Sequence, residues 1–209
     1  MLLRISVALL ALLAPAGLGQ EQQHRGQGRG GGRGLQRALE QPGRAAWQKP
    51  DEVVAALNIR SDEVIADIGA GTGYFTRRFA ARAARVYAVD VNQGLLDQIA
   101  ALWLPNVVTV LAAPDDPKLP PAAVDTIFFC NVLHHIQNRP AYYRRLAQAL
   151  KPGGRIVVID FHKRPLPVGP PPAEKLAEEE VVQELSAAGF RLERRHGFLE
   201  YQYFLEFRR

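Results

Sequence analysis

The sequence predicts an α/β domain in three layers, with a mostly parallel sheet covered by helices on both faces. Three observations predict it. Apolar runs of strand length recur between stretches of helical periodicity, the links between them are short, and the first run ends in a glycine-rich turn that leads into a helical stretch. Runs that are apolar throughout, rather than alternating, belong to strands buried on both faces, the condition of a parallel sheet. With 209 residues, 47% apolar and 22% charged, the chain has material for one compact core.

The elements follow in order. Pro50 opens a helix whose first turn holds Asp51 and Glu52, where a missing N–H and negative charge suit the helix start; Val53, Val54 and Leu57 supply its apolar face and Asn58 closes it. Val64 to Ile68 is a strand, followed by Gly69-Ala70-Gly71-Thr72-Gly73 and a helix from Tyr74 to about Ala84. Arg85 to Val89 is a second strand, ending in Asp90, and a helix from about Gln93 to Trp103 is stopped by Pro105. Val107 to Leu111 and Asp125 to Cys130 are strands three and four; Tyr142 to Leu150 is a helix; Arg155 to Ile159 is a fifth strand after a Pro152-Gly153-Gly154 turn. Beyond a proline-rich loop from Pro165 to Pro172, Glu178 to Ala188 reads as a helix, with Phe190 to Arg194 and Tyr201 to Phe207 as closing strands. The acidic run at Glu178 suits a solvated helix start.

Charge is concentrated near the amino terminus. Arg4 carries one positive charge, and residues 20–50 carry six basic against two acidic residues; from Asp51 onward 19 basic residues face 19 acidic ones. The folded part is therefore neutral overall, and no nucleic-acid partner is expected. Residues 1–19 combine Arg4, an apolar stretch from Ile5 to Ala14 and an Ala14-Pro15-Ala16 triplet, the layout of a signal peptide or N-terminal anchor. The apolar run is short for a membrane span, and no stable span is expected unless this segment stays uncleaved. The location this implies is exported, periplasmic or extracellular, or membrane-anchored, and cytoplasmic if Met1 is a misassigned start. Residues 20–45, rich in Gly, Arg and Gln, read as a disordered linker, leaving 46–209 as the domain. The single Cys130 excludes an intrachain disulfide and sits in an apolar strand, where packing is its expected role. No feature of the sequence sets the oligomeric state.

In a parallel α/β sheet, ligands bind beyond the carboxyl ends of the strands, at the first glycine loop. Here Asp67 precedes glycines 69, 71 and 73, and Asp90 ends the next strand, placed to accept hydrogen bonds from ribose hydroxyls. The glycine spacing departs from the dinucleotide pattern G-x-G-x-x-G, whose third glycine would fall on Tyr74, and this disfavours a pyrophosphate ligand.

Four segments together, Val64 to Gly73, Val86 to Asp90, Asn131-Val132-Leu133-His134-His135-Ile136, and Leu150-Lys151-Pro152-Gly153-Gly154-Arg155, make the chain resemble the class I S-adenosylmethionine (SAM)-dependent methyltransferases from about Trp47 to its end. The resemblance implies a Rossmann-like seven-stranded sheet of order 3-2-1-4-5-7-6, the seventh strand antiparallel, and SAM as cofactor. By the same likeness Asp67, Gly69, Ala70, Gly71 and Gly73 hold the methionine part, Asp90 the ribose and Val91 beside it a further part of the cofactor, and the loop after strand three covers the adenine, with Asp115 and Asp116 as candidates for its amine. Asn131 is a further cofactor candidate.

Methyl transfer from a sulfonium asks the protein to hold nucleophile and methyl in line and to exclude water, with a general base needed only for a protonated acceptor. The catalytic residue is therefore left open, with His134 and His135 as candidates. On the acceptor side stand Trp47, His134, His135 and His162, and no metal site is expected. The expected activity is methyl transfer to a small-molecule acceptor whose identity is open. Two alternatives stand beside it: a non-catalytic SAM-binding relative, since exported proteins have no obvious SAM supply, and a nicotinamide-dependent oxidoreductase, which needs the other glycine spacing and a Tyr-x-x-x-Lys pair that this chain lacks.

Overall fold

The computed structural model describes residues 40, 41 and 43–209. The expectations for residues 1–19 and for most of the linker lie outside the described residues. Among the described residues, no helix is long and apolar enough to cross a membrane.

One sheet of seven strands runs in the order β3-β2-β1-β4-β5-β7-β6. Strands β1 (Val64–Ile68), β2 (Arg85–Asp90), β3 (Val107–Leu111), β4 (Val124–Cys130) and β5 (Leu150–Phe161) are parallel. Strand β7 (Gln202–Arg208) lies antiparallel between β5 and β6 (Arg191–His196). This is the expected fold and strand order. Because β1 pairs with β2 on one side and with β4 on the other, the chain changes its winding direction at β1, and a crevice opens beyond the carboxyl ends there.

Successive strand residues alternate between two cores. Ile65, Phe128, Val157 and Phe204 pack with α2 (Pro50–Ala56) and with Phe79 of α3 (Thr76–Ala80), and α1 (Arg44–Gln48) precedes them in the chain. Ala66, Ile127, Phe129, Val158 and Leu205 face the opposite way, onto α5 (Arg139–Ala149) and α6 (Glu178–Ala187). Between β2 and β3, α4 (Gln93–Ala100) lays Leu96 and Ile99 against Ala88, and its Asn92 cap accepts from the Leu95 amide. Strands that bury both faces explain why their sequences read as unbroken apolar runs.

The structure shortens α3 to end at Ala80 and α4 to end at Ala100, shifts β6 to Arg191–His196, and moves four further boundaries for identifiable reasons. Helix α3 starts at Thr76 rather than Tyr74, because Gly71 and Gly73 hold left-handed φ values of 58° and 81° and the turn runs on through Tyr74 and Phe75. Helix α5 starts at Arg139, three residues early, with Pro140 in its first turn. Strand β5 starts at Leu150 rather than Arg155: the ladder passes from Val124↔Leu150 to Thr126↔Arg155, so Pro152-Gly153-Gly154 is taken up as an irregularity within the strand. The fold also begins before residue 46, since Arg44 is helical and buried.

At the amino-terminal edge of the sheet, Arg155 stitches four elements together. Its Nε donates to Thr126 Oγ1 at 2.9 Å, Nη1 to Glu206 Oε2 at 3.0 Å, and Nη2 to Glu63 Oε1 at 3.1 Å and to the Leu57 carbonyl at 2.7 Å. Glu63 and Glu206 are almost wholly buried. A cavity of about 500 Å³ opens at this edge, but the charges of Arg60, Glu63, Arg155, Glu206 and Arg208 along it are paired with carboxylates or with one another.

Candidate functional site

Two cavities meet at the carboxyl ends of β1 and β4, divided by Gly69, Gly71, Asn131, Val132 and His135, which line both. The first, of about 430 Å³, reaches from Asp67 and Ala70 towards Arg44 and Trp47 of α1 and the Val168–Pro170 loop. The second, of about 420 Å³, is bordered by Asp90, Val91, Asn92 and Leu95 and by Ala112-Ala113-Pro114, an apolar slot with one carboxylate at its mouth.

Backbone conformation builds the partition. Gly69 has φ 68°, and a Cβ there would lie 2.3 Å from Val132 Cγ2 and 2.7 Å from Cγ1. Only glycine allows the loop to lie this close to the turn after β4. The Gly69 and Ala70 amides donate to the Val89 carbonyl, while the Gly71 amide donates to Asp90 Oδ2 at 2.9 Å; the other oxygen, Oδ1, accepts from the Asn92 amide at 2.9 Å. Each Asp90 oxygen retains a lone pair for a further donor. Behind the loop, Asp67 accepts from Thr76 Oγ1 at 2.6 Å, and burial, with the like charge of Asp90 adding, pushes its carboxyl up to about 7.

A buried amide relay docks α1 over the strand ends. Arg44 Nε donates to Gln48 Oε1 (2.7 Å), Gln48 Nε2 to Gln202 Oε1 (2.7 Å), and Gln202 Nε2 to Asn131 Oδ1 (2.5 Å). Just upstream, Glu40 accepts from Thr72 Oγ1 (2.7 Å) and from Arg77 (3.1 Å), holding the chain across the glycine loop. The guanidinium of Arg44 sits 3.9 Å from the centre of the Tyr74 ring.

Residues 66–158 match a family model described as a methyltransferase domain. Among solved structures, a SAM-dependent methyltransferase from Aquifex aeolicus superposes with a TM-score of 0.78 at 24% identity, over 85% of this chain and 97% of that one. The chain carries a methyltransferase domain over residues 66–158, on the fold of the SAM-dependent methyltransferases. Of its curated relatives, the biotin biosynthesis bifunctional protein BioHC of Cellvibrio japonicus is 40% identical over 44% of this chain and 18% of that protein. The demethylmenaquinone methyltransferase of Tropheryma whipplei (strain Twist) is 34% identical over 50% of this chain and 44% of its own length. The tRNA U34 carboxymethyltransferase of Cellvibrio japonicus is 34% identical over 57% of this chain and 39% of its own length. The chain thus spans less than half of each of these three relatives.

Set against the methyltransferase cofactor, the expected residues divide. Asp67, Gly69, Ala70, Gly71, Asp90, Val91 and Asn131 border the two cavities. Their chemistry suits SAM: a buried carboxylate for an ammonium, a loop free of side chains, an acceptor for ribose hydroxyls and an apolar slot for a base. Gly73 does not border them; its open side meets Ile99, where a Cβ would lie 3.1 Å from Cγ1. Asp115 and Asp116 are also absent from the slot. Asp116 is tied to Arg145 (2.8 Å) and Lys118 (2.9 Å), and Asp115 is exposed beside Arg145.

On the acceptor side, Trp47 borders the first cavity with its ring 5.7 Å from that of Phe161, and His134 and His135 border it as well. His162 does not; it packs on Tyr203 with ring centres 6.0 Å apart. Cys130 accepts from Gln48 Nε2 at 3.1 Å, and burial pushes its thiol up to about 12, so it stays protonated. Asp160, Gln202 and Arg44 carry no signal in the sequence alone, whereas Phe161 lies where the sequence places acceptor-side residues, directly after strand five.

On the expectation that Asp90 accepts from ribose hydroxyls, replacing it by alanine is expected to weaken S-adenosylhomocysteine binding about 10- to 100-fold, since the change also removes the partner of the Gly71 amide. Calorimetric titration checks it, and unchanged affinity would show that the sugar is held elsewhere.

Proposed function

We propose that this chain transfers the methyl group of SAM to a small-molecule acceptor. The observation that carries the reading is the partition itself: a slot closed by Asp90 and a cavity ending at Asp67 touch along Gly69, Gly71 and Asn131, so a ligand laid across the loop would present its middle to the acceptor side. When bound, the cofactor supplies an electrophilic methyl carbon. In this proposal Asp67 binds its ammonium, Asp90 and Val91 its ribose, and the Ala112–Pro114 stretch its base. Trp47, Phe161 and the Val168–Pro170 loop wall off the acceptor and exclude water.

The size of the acceptor cavity and the balanced charge beyond Asp51 support a small molecule over a folded RNA. Demethylmenaquinone methyltransferase is a relative whose name fits such an acceptor. The non-catalytic alternative would leave unexplained why the cavity that ends at Asp67 extends on to Trp47, Phe161 and the Val168–Pro170 loop.

Titration of the full chain with SAM, S-adenosylhomocysteine and NADH tests the assignment, with binding of the two sulfur compounds and not NADH expected. Binding of NADH alone reverses it. The same titration carries a pH signature. Asp67 is held up to about 7 in the free protein and must ionise to receive an ammonium, so binding releases a proton below pH 7 and strengthens as pH rises to that point. Up to about tenfold in affinity per pH unit is expected there, levelling off above it. Affinity flat between pH 5.5 and 7 would remove Asp67 from the contact.

A further inference from the structure

The two edges of the sheet are built differently. Strand β6, at one edge, carries Arg191, Glu193, Arg194 and Arg195, and its register breaks between Leu192 and Arg194. Charge and irregularity of this kind keep an edge strand from pairing with another chain. Strand β3, at the other edge, has neither: its pairing with β2 is regular from Val107 to Leu111, and no charged residue occurs between Asp97 and Asp115. The Val86 amide donates to the Asn106 carbonyl and the Ala112 amide to the Asp90 carbonyl, so the even-numbered residues of this stretch bond to β2, and the backbone of Thr109 and Leu111 faces outward. Just before the strand, Trp103 is 89% exposed and holds φ 52°, a left-handed backbone that strains a bulky side chain and that glycine would adopt freely. Leu102, Val108 and Leu111 are exposed as well. Trp103 lines a cavity of about 380 Å³ together with Ile99 of α4 and Val107 and Thr109 of β3, which places the indole on the α4 side of the edge. Leu111, two residues beyond Thr109, faces that same side.

We propose that the β3 edge is the interface of a homodimer, in which two copies pair antiparallel through β3 about a two-fold axis at Thr109, so that one sheet runs through both. In this arrangement Thr109 faces its own copy and Val107 faces Leu111. Trp103, just ahead of Val107, then lies against Leu111 of the second copy, and the same contact recurs across the axis, as a self-complementary interface requires. The absence of charge selects the occupant. A charged edge laid against its twin would set like charges opposite one another, whereas this stretch has none to oppose, and it offers nothing for a partner of complementary charge to read. Because the β6 edge is guarded, pairing stops at two copies and closes, instead of running on as a fibre. A five-residue strand with four apolar side chains around it buries on the order of 1,000 Å² between two copies, at the low end for specific interfaces, which corresponds to a reversible dimer with a Kd on the order of 10 μM.

The test is sedimentation equilibrium of the full chain from about 1 to 300 μM, with tryptophan fluorescence read over the same range. A monomer–dimer equilibrium is expected, its emission moving to the blue as the dimer forms and Trp103 leaves water. Trp103→Gly is expected to weaken association at least about tenfold with the circular dichroism spectrum unchanged, since glycine holds this backbone without strain. Val108→Lys, which puts a cation on the edge strand close to its own copy, is expected to weaken it to a similar degree. A dimer that survives both substitutions overturns the proposal, because the copies then meet elsewhere. A wild-type monomer over the whole range overturns it too. In that case the emission of Trp103, taken as the difference between wild type and Trp103→Gly, says what the patch serves: blue at every concentration means a segment of the same chain, red at every concentration a partner of another kind.

Discussion

Replacing Gly69 by alanine is expected to lower S-adenosylhomocysteine affinity by at least about 100-fold and to melt the protein several degrees earlier. The residue sits at φ 68°, which costs an L side chain on the order of 1 kcal/mol, and the added methyl would stand 2.3 Å from Val132 Cγ2. One of the two must move. The overpacking costs about 1–3 kcal/mol, or roughly 2–12 °C in a domain of this size. Any shift of the loop also displaces the Gly71 amide from Asp90. Calorimetry and a thermal scan read both effects. Adding Val132→Ala to the alanine variant is expected to restore part of the loss by removing the clash and leaving only the dihedral cost. Wild-type affinity in the single variant would mean that the loop is not where the ligand lies.

The second large effect belongs to stability. Arg155→Met is expected to cost about 3–5 kcal/mol, because it removes the cation shared by Glu63 and Glu206, both nearly inaccessible to water, leaving Glu63 with Arg60 at 3.7 Å and Glu206 with His196 at 2.6 Å. The midpoint of thermal unfolding should fall by roughly 6–20 °C. Converting Glu63 and Glu206 to glutamine in the same chain is expected to recover most of it, since the buried charges, rather than the missing contacts, are what destabilise. A fall of less than about 1 kcal/mol would show the cluster to be hydrated and weak.

The strands were legible because burial on both faces writes itself into sequence as uninterrupted apolar runs, and β1 and β3 match residue for residue. Helix starts were less so, since α5 depends on Asn138 at φ 48° and Pro140 rather than on periodicity. The loop glycines and Asp90 could be found because one short segment contains the whole loop and the next strand ends on its partner. Position in the chain misled at Asp115 and Asp116, whose carboxylates answer to Arg145, a cation on a distant helix. His134 and Asp160, 26 residues apart, and Gln48 and Gln202, 154 apart, meet only once the strand order is known. Such pairings have no local signature.

The partition at Gly69 and Asn131 also bears on how such a protein could diversify. In the proposed reading, Trp47, Phe161 and the Val168–Pro170 loop line only the cavity offered to the acceptor and the methionine end, while Asp90, Leu95 and the Ala112–Pro114 stretch line only the slot offered to the nucleoside. Substitutions on the first set leave the nucleoside's contacts in place, so on that reading a descendant trades one acceptor for another while its hold on that half of the methyl donor is inherited unchanged.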